Sequence, residues 1–168
     1  MNVLGMIERP DSGDLRVLGQ TVLDLESNAS RQLRDKSFGF LFTHPHLLPG
    51  FTAAENIAMP FLRLCRESSG TAATRVAEVL DFTGLEESIG KSDVANLDSD
   101  SLWRVAFARA IVHRPEILVA ISPPAPFLLS LAARYARENG ACVLWNAGSE
   151  ASPVECDRVI ETEFAQRE

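Results

Sequence analysis

Five uninterrupted apolar residues, Ile117-Leu-Val-Ala-Ile121, stand between Pro115 and Pro123 and constrain the fold more than any other part of the chain. A run this short, bounded by prolines and rich in β-branched residues, reads as a buried strand rather than a helix. The prolines at 123, 124 and 126 form a rigid turn, a helix follows over Phe127–Glu138, Asn139-Gly140 stops it, and Ala141–Trp145 reads as another strand. Strand, helix, strand is the pattern of a parallel sheet with crossover helices, so the expected class is α/β.

The rest of the chain fits the same architecture. Leu15-Arg-Val-Leu18 alternates like a strand and closes on Gly19-Gln20, and Phe38-Gly-Phe-Leu-Phe42 reads as a buried strand. Asp24 to Leu33 is polar and suits a short surface helix. Thr52-Ala-Ala-Glu55 is a capping box that starts a helix, which Pro60 ends or kinks. Glu67 to Thr71 reads as a loop, and Val76, Val79 and Leu80 give the following segment, Ala72–Phe82, an apolar stripe before a C-cap at Gly84. Asp98 or Ser99 can cap a helix running to about His113, and Arg158–Glu161 reads as a last short strand. Residues 52–113 therefore form a helical middle within one domain spanning 1–168.

Composition narrows the function. With 168 residues the chain can bury roughly two-thirds of its unfolded surface. A net charge of −7 opposes binding to nucleic acid, which calls for a basic stripe, and to an anionic membrane surface. No apolar run approaches a membrane span, so direct membrane insertion is not expected. The N-terminus has neither the basic nor the apolar region of a signal peptide. Cys65, Cys142 and Cys156 are odd in number and widely spaced, as expected of reduced structural thiols in the cytoplasm. His44 and His46 lie two apart without a third ligand near them, which argues against a metal site. His113 suits a charge or cap at a helix C-terminus. Trp103 and Trp145 suit core or interface positions.

Three segments carry a family resemblance. Asn2–Gln20 resembles the stretch after the phosphate-binding loop of ABC-transporter ATPases. Phe38–Ile57 resembles their Q-loop strand and the helix after it, and Val94–Pro123 their signature helix and Walker B strand. The order of pieces is that of the lipoprotein-release and macrolide-export group. The resemblance implies a partial P-loop NTPase-like α/β domain, truncated at its N-terminus and lacking the strand that feeds the phosphate loop. That strand would lie beside the Walker B strand, and its loss would leave strand edges and one sheet face uncovered. Dimerisation, completion of the sheet by another protein, decay as a gene remnant, or a start upstream of Met1 are the outcomes such a gap implies.

At the positions where the family carries its chemistry, this chain departs from it. No GxxxxGK[ST] is present, and Thr43 stands at the Q-loop glutamine. The signature reads Leu97-Asp-Ser-Asp-Ser-Leu102, which puts the carboxylates of Asp98 and Asp100 where a phosphate would sit at a helix N-terminus. Ile121 and Ser122 replace the two Walker B carboxylates, and Ala147 replaces the switch histidine. Ile121 offers no oxygen to Mg²⁺, and Ser122 is no general base at neutral pH. The implied function is a non-hydrolytic pseudo-subunit or regulator of a transporter, with no catalytic residue, no metal and no bound cofactor. It would be cytoplasmic and peripheral to the membrane through its partner. That partner would be a membrane permease or an intact ABC ATPase subunit, with a homodimer as a further arrangement. The surface that meets the permease in relatives maps to His46, Leu47, Leu48, Phe51, Glu55 and Asn56. Two other readings stand beside it: an ATP-binding subunit that uses ATP and Mg²⁺ with a complete partner, and a remnant without function.

Overall fold

The computed structural model describes residues 1–65, 68–121, 127–146 and Asp157. In chain order these form β1 (Leu15–Val17), β2 (Gln20–Val22), α1 (Asn28–Ser37), β3 (Phe38–Leu41), α2 (Ala53–Cys65), α3 (Ser69–Thr83) and α4 (Glu87–Gly90). A 3₁₀ turn at Val94–Asn96 then leads into α5 (Ser99–Ile111), β4 (Ile117–Ile121), α6 (Phe127–Asn139) and β5 (Cys142–Asn146). Ser122, Pro123–Pro126, Ala147, Cys156 and the strand expected at Arg158–Glu161 lie outside the described residues.

The apolar run at 117–121 is the middle strand of a parallel sheet ordered β3-β4-β5. Phe38 pairs with Ile117 and Leu41 with Ala120 on one side, and Ile117 pairs with Cys142 and Ile121 with Asn146 on the other. Side chains alternate between the two faces. Leu118 and Ala120 enter the larger core, packed with Phe107 and Ile111 of α5 and Leu128, Ala132 and Tyr135 of α6. Val119 faces the other way and joins Met6, Val17, Leu25 and Phe38.

This arrangement corrects two expectations. Both edges of β4 are hydrogen-bonded to neighbours, so no further strand can lie beside it. Nor is one sheet face bare. The N-terminal segment and the β1–β2 hairpin cover it, fastened where the Arg34 guanidinium donates to the Met6 carbonyl at 2.9 Å.

Other boundaries moved for local reasons. The single strand expected at 15–18 is a hairpin, because Leu18 (φ 48°) and Gly19 (φ 76°) turn the chain back on itself. The first helix starts at Asn28 rather than Asp24, capped by Ser27, whose hydroxyl accepts the Ser30 N–H. Ser68 does the same for α3 through Thr71, three residues ahead of the expected start. Pro60 does not end α2, which runs on to Cys65. The lost N–H is tolerated because Phe61, just beyond it, packs against the main core. Gly84 caps α3 in the left-handed conformation with φ 70°.

His113 does not cap α5. Its Nε2–H reaches across to the Phe38 carbonyl at 2.9 Å, and burial pulls its pKa below the usual histidine value. The cap of α5 comes from Arg75 of α3, which donates to the carbonyls of Val112 (2.7 Å) and Ile111 (3.2 Å). Tyr135 donates its hydroxyl to the Pro115 carbonyl, and burial pushes the phenol up to about 12. Trp103 is buried, and Trp145 packs half-buried on the same core. Cys65 and Cys142 are exposed and form no disulfide. No helix among the described residues is long and apolar enough to cross a membrane.

Candidate functional site

The loop from Phe42 to Phe51 joins β3 to α2, and local chemistry fixes both of its ends. On the α2 side the Thr52–Glu55 capping box forms as a reciprocal pair. The Glu55 N–H donates to Thr52 Oγ1 at 3.2 Å, and the Thr52 N–H donates to the Glu55 carboxylate at 2.7 Å. That backbone N–H, ahead of the Thr52 hydroxyl, holds the Glu55 carboxyl below its ordinary pKa.

Two polar side chains hold the middle of the loop. Asn56 has no exposed surface. Its Oδ1 accepts the Leu48 N–H at 2.7 Å, and its Nδ2 donates to the carbonyls of Leu48 (3.2 Å), Thr52 (3.0 Å) and Phe51 (3.4 Å). Arg109 reaches from α5 and donates to the carbonyls of Pro45 (2.7 Å) and His46 (2.6 Å). His46 itself sits in the left-handed region at φ 46°. Burial lowers the Arg109 pKa, yet a guanidinium starts so high that it stays charged.

Held this way, the loop presents apolar side chains outward. Leu48 is 46% exposed and Phe51 43%, while Leu47 turns inward against the main core. His46 is exposed, with its ring edge on Phe42 and on His44. Glu55 is exposed but occupied by its cap. Of the six residues expected to meet a partner, His46, Leu48, Phe51 and Glu55 lie on the surface together. Asn56 is corrected: buried and saturated with loop hydrogen bonds, it shapes the surface and does not touch what lies beyond it. Arg109 was not among the six. Its bonds span more than sixty residues, a distance that no local spacing reveals. Asn56 carried a signal, a polar residue beside Ala53 and Ile57 on the buried stripe of α2.

The N-terminus of α5 is the other region of interest. Asp98 is its N-cap. One carboxylate oxygen accepts the Ser101 N–H and the other accepts the Ser101 hydroxyl, both at 2.9 Å. The backbone bond from Ser101 is the main cause that holds the Asp98 carboxyl below the usual aspartate range. An amide that could face an external anion is thereby taken by the chain's own carboxylate, and Asp100 adds a second negative charge in the first turn. Ile121 ends β4 half-buried against the smaller core. Thr43 is exposed, with its Oγ1 3.2 Å from His44 Nδ1. No cluster of three or more metal-ligating side chains occurs among the described residues. Ser122 and Ala147 lie outside them.

Comparison with known proteins places this geometry. A profile of the ABC transporter family matches residues 1–122. The lipoprotein-releasing system ATP-binding protein LolD 1 of Caulobacter vibrioides is 33% identical over 165 residues, covering 94% of this chain and 70% of that protein. LolD of Maricaulis maris is 37% identical over 123 residues, 73% of this chain and 53% of that protein, so the chain spans only about half of the latter's length. The dimeric structure of the bacterial ABC transporter cassette MJ0796 aligns with TM-score 0.75 and 25% identity, over 86% of this chain and 66% of that one. A dimeric, post-hydrolysis state of the same cassette bound to ADP and Pi aligns with TM-score 0.76 and 24% identity, over 88% and 68% of the two chains. Profile match and sequence identity agree with the parallel sheet and the placement of α5 before β4: the chain belongs to the ABC transporter family, among the ATPase domains of the LolD-like group.

Proposed function

We propose that the chain is a non-hydrolytic pseudo-subunit that docks on a membrane permease of a lipoprotein-release-type transporter through the 46–51 loop and the start of α2. One observation carries the non-hydrolytic half: the Asp98 carboxylate occupies the amide at the N-terminus of α5, where relatives are expected to offer backbone to phosphate. Ile121 supports it, because it offers no oxygen to Mg²⁺, and Thr43 does so more weakly, because its side chain is shorter than the glutamine's and reaches less far. The docking half rests on Leu48 and Phe51, kept exposed by a loop in which Asn56 and Arg109 invest six hydrogen bonds. In this reading the chain sits at the inner face of the membrane only through its partner, beside an intact ATPase subunit or a second copy of itself.

The two halves are tested separately. Isothermal titration with Mg-ATP is expected to give no saturable heat, and micromolar binding would refute the non-hydrolytic half. Replacing Leu48 and Phe51 together with alanine is expected to leave folding within about 1 kcal/mol of the parent, since surface residues contribute little to it. The same change should abolish association with the permease, and undiminished association would remove this surface from the account.

A second reading, a nucleotide-binding subunit that works with a complete partner ATPase, is favoured by the intact arrangement of α5 against β3 and β4. It predicts Mg-ATP binding that appears only when the partner is added. A third, a remnant without function, predicts low abundance and poor folding.

A further inference from the structure

Between α5 and α6, three arginines converge on a notch of about 320 Å³ lined by Arg104, Phe127, Ser130, Leu131, Arg134 and Arg137. Residues 127, 130, 131, 134 and 137 recur at helical spacing, so α6 turns one continuous face toward Arg104 of α5. Two of the arginines have structural duties. Arg104 donates to the Thr83 carbonyl at 2.5 Å with its guanidinium over the Phe127 ring, and Arg134 donates to the Phe82 carbonyl while lying over the Phe82 ring. Together they satisfy the carbonyls at the end of α3, a favourable place for positive charge.

Those duties leave donors over. A guanidinium carries five N–H groups, and Arg104 spends one of them here. Arg137 and the Ser130 hydroxyl have no hydrogen-bond or ion-pair partner among the described residues. Among the described residues, one carboxylate is paired on this face, that of Glu138, 3.7 Å from Arg134. The notch thus gathers positive charge and unspent donors over an apolar floor, on a chain whose net charge is −7. Ser130 and Arg137 are both exposed, so their donors stand open at the rim of the notch.

We propose that this notch binds a small oxyanion, a phosphoryl or carboxylate group held by Arg137, Ser130 and the spare N–H groups of Arg104. Planar guanidinium forks suit both groups, and the volume lies at the lower end of small-molecule sites. The site is separate from the capped end of α5, because Arg104 lies six residues beyond Asp98, about 9 Å along the helix.

The test uses the full chain without magnesium, titrated with inorganic pyrophosphate and, separately, with tricarballylate. Saturable binding of either anion is expected, weakening as salt rises from about 50 to about 200 mM. Arg137→Ala should weaken it at least about fivefold and Ser130→Ala by less, with the melting temperature unchanged because neither residue caps α3. Binding of pyrophosphate alone identifies a phosphoryl site, binding of tricarballylate alone a carboxylate site, and both support the proposal. Failure of both anions to saturate, or an Arg137→Ala chain that binds as the parent does, overturns it.

Discussion

The N-terminus of α5 and the loop ahead of α2 are both short polar segments at the start of a helix, and they use the same chemistry to opposite ends. At α5 the capping carboxylate of Asp98 turns inward onto Ser101, so the helix end answers itself. At α2 the Thr52–Glu55 box also closes on itself, but Asn56 and Arg109 spend their hydrogen bonds on the loop in front of it. The outcome there is a shaped surface with Leu48 and Phe51 outward. One region turns its polar groups onto its own backbone, and the other uses them to hold apolar side chains at the surface. Families are matched on the shared frame of β3, β4 and α5, while the chemistry of such ends can diverge without disturbing that frame.

The largest effect should come from breaking the frame beneath both regions. Gly39 on β3 sits where a methyl group would overlap the Ala110 carbonyl oxygen of α5. Gly39→Ala should cost about 3 kcal/mol, the upper range for forcing extra volume into a packed core, as read by urea denaturation. A change under about 0.5 kcal/mol would mean that α5 and β3 slide freely and that the comparison lacks its common support.

Next comes Asn56→Ala, which leaves the Leu48 N–H and three carbonyls without their amide partner. A loss of about 2–3 kcal/mol is expected. Hydrogen exchange should rise across residues 47–52 while α5 stays protected. Equal loosening at α5 would show that the two regions do not behave independently.

Arg109→Ala should cost about 2 kcal/mol by removing two charge-assisted hydrogen bonds. It should also weaken permease association more than Arg109→Lys does, since lysine keeps the charge but not the two-carbonyl fork. Equal association in both variants would separate the shape of the loop from its function.

The smallest effect belongs to Asp98→Ala, which exposes the Ser101 amide at a solvent-facing helix end. The folded pKa of Asp98 lies below its unfolded value, so its contribution is fully present above the unfolded value. It disappears as pH falls through the lowered folded value. In Asp98→Ala the acid limb of the stability curve should therefore be shallower than in the parent, and identical limbs would contradict the cap.

Much of this was legible in the sequence wherever the physics is local. The Thr52–Glu55 box, the Asp98 cap and the left-handed Gly84 are each decided within four residues, and each formed at its expected position. The β4 strand was legible from its prolines and its apolar run. Hidden were the contacts that only folding brings together: Arg75 capping α5, His113 reaching β3, and Arg109 pinning the loop. Asn56 was read as a partner residue from the family resemblance of the loop and helix it belongs to. Its burial became visible only with the loop carbonyls placed around it. The expected place of a strand beside β4 failed because pairing order is a property of the whole sheet, not of the strand's own sequence.

The divergence of the two regions is tested most directly by the amount of permease recovered with the tagged chain from its own membranes, measured with and without Mg-ATP. The account predicts near-stoichiometric recovery that Mg-ATP does not change. No permease, or recovery that rises or falls with Mg-ATP, would contradict it.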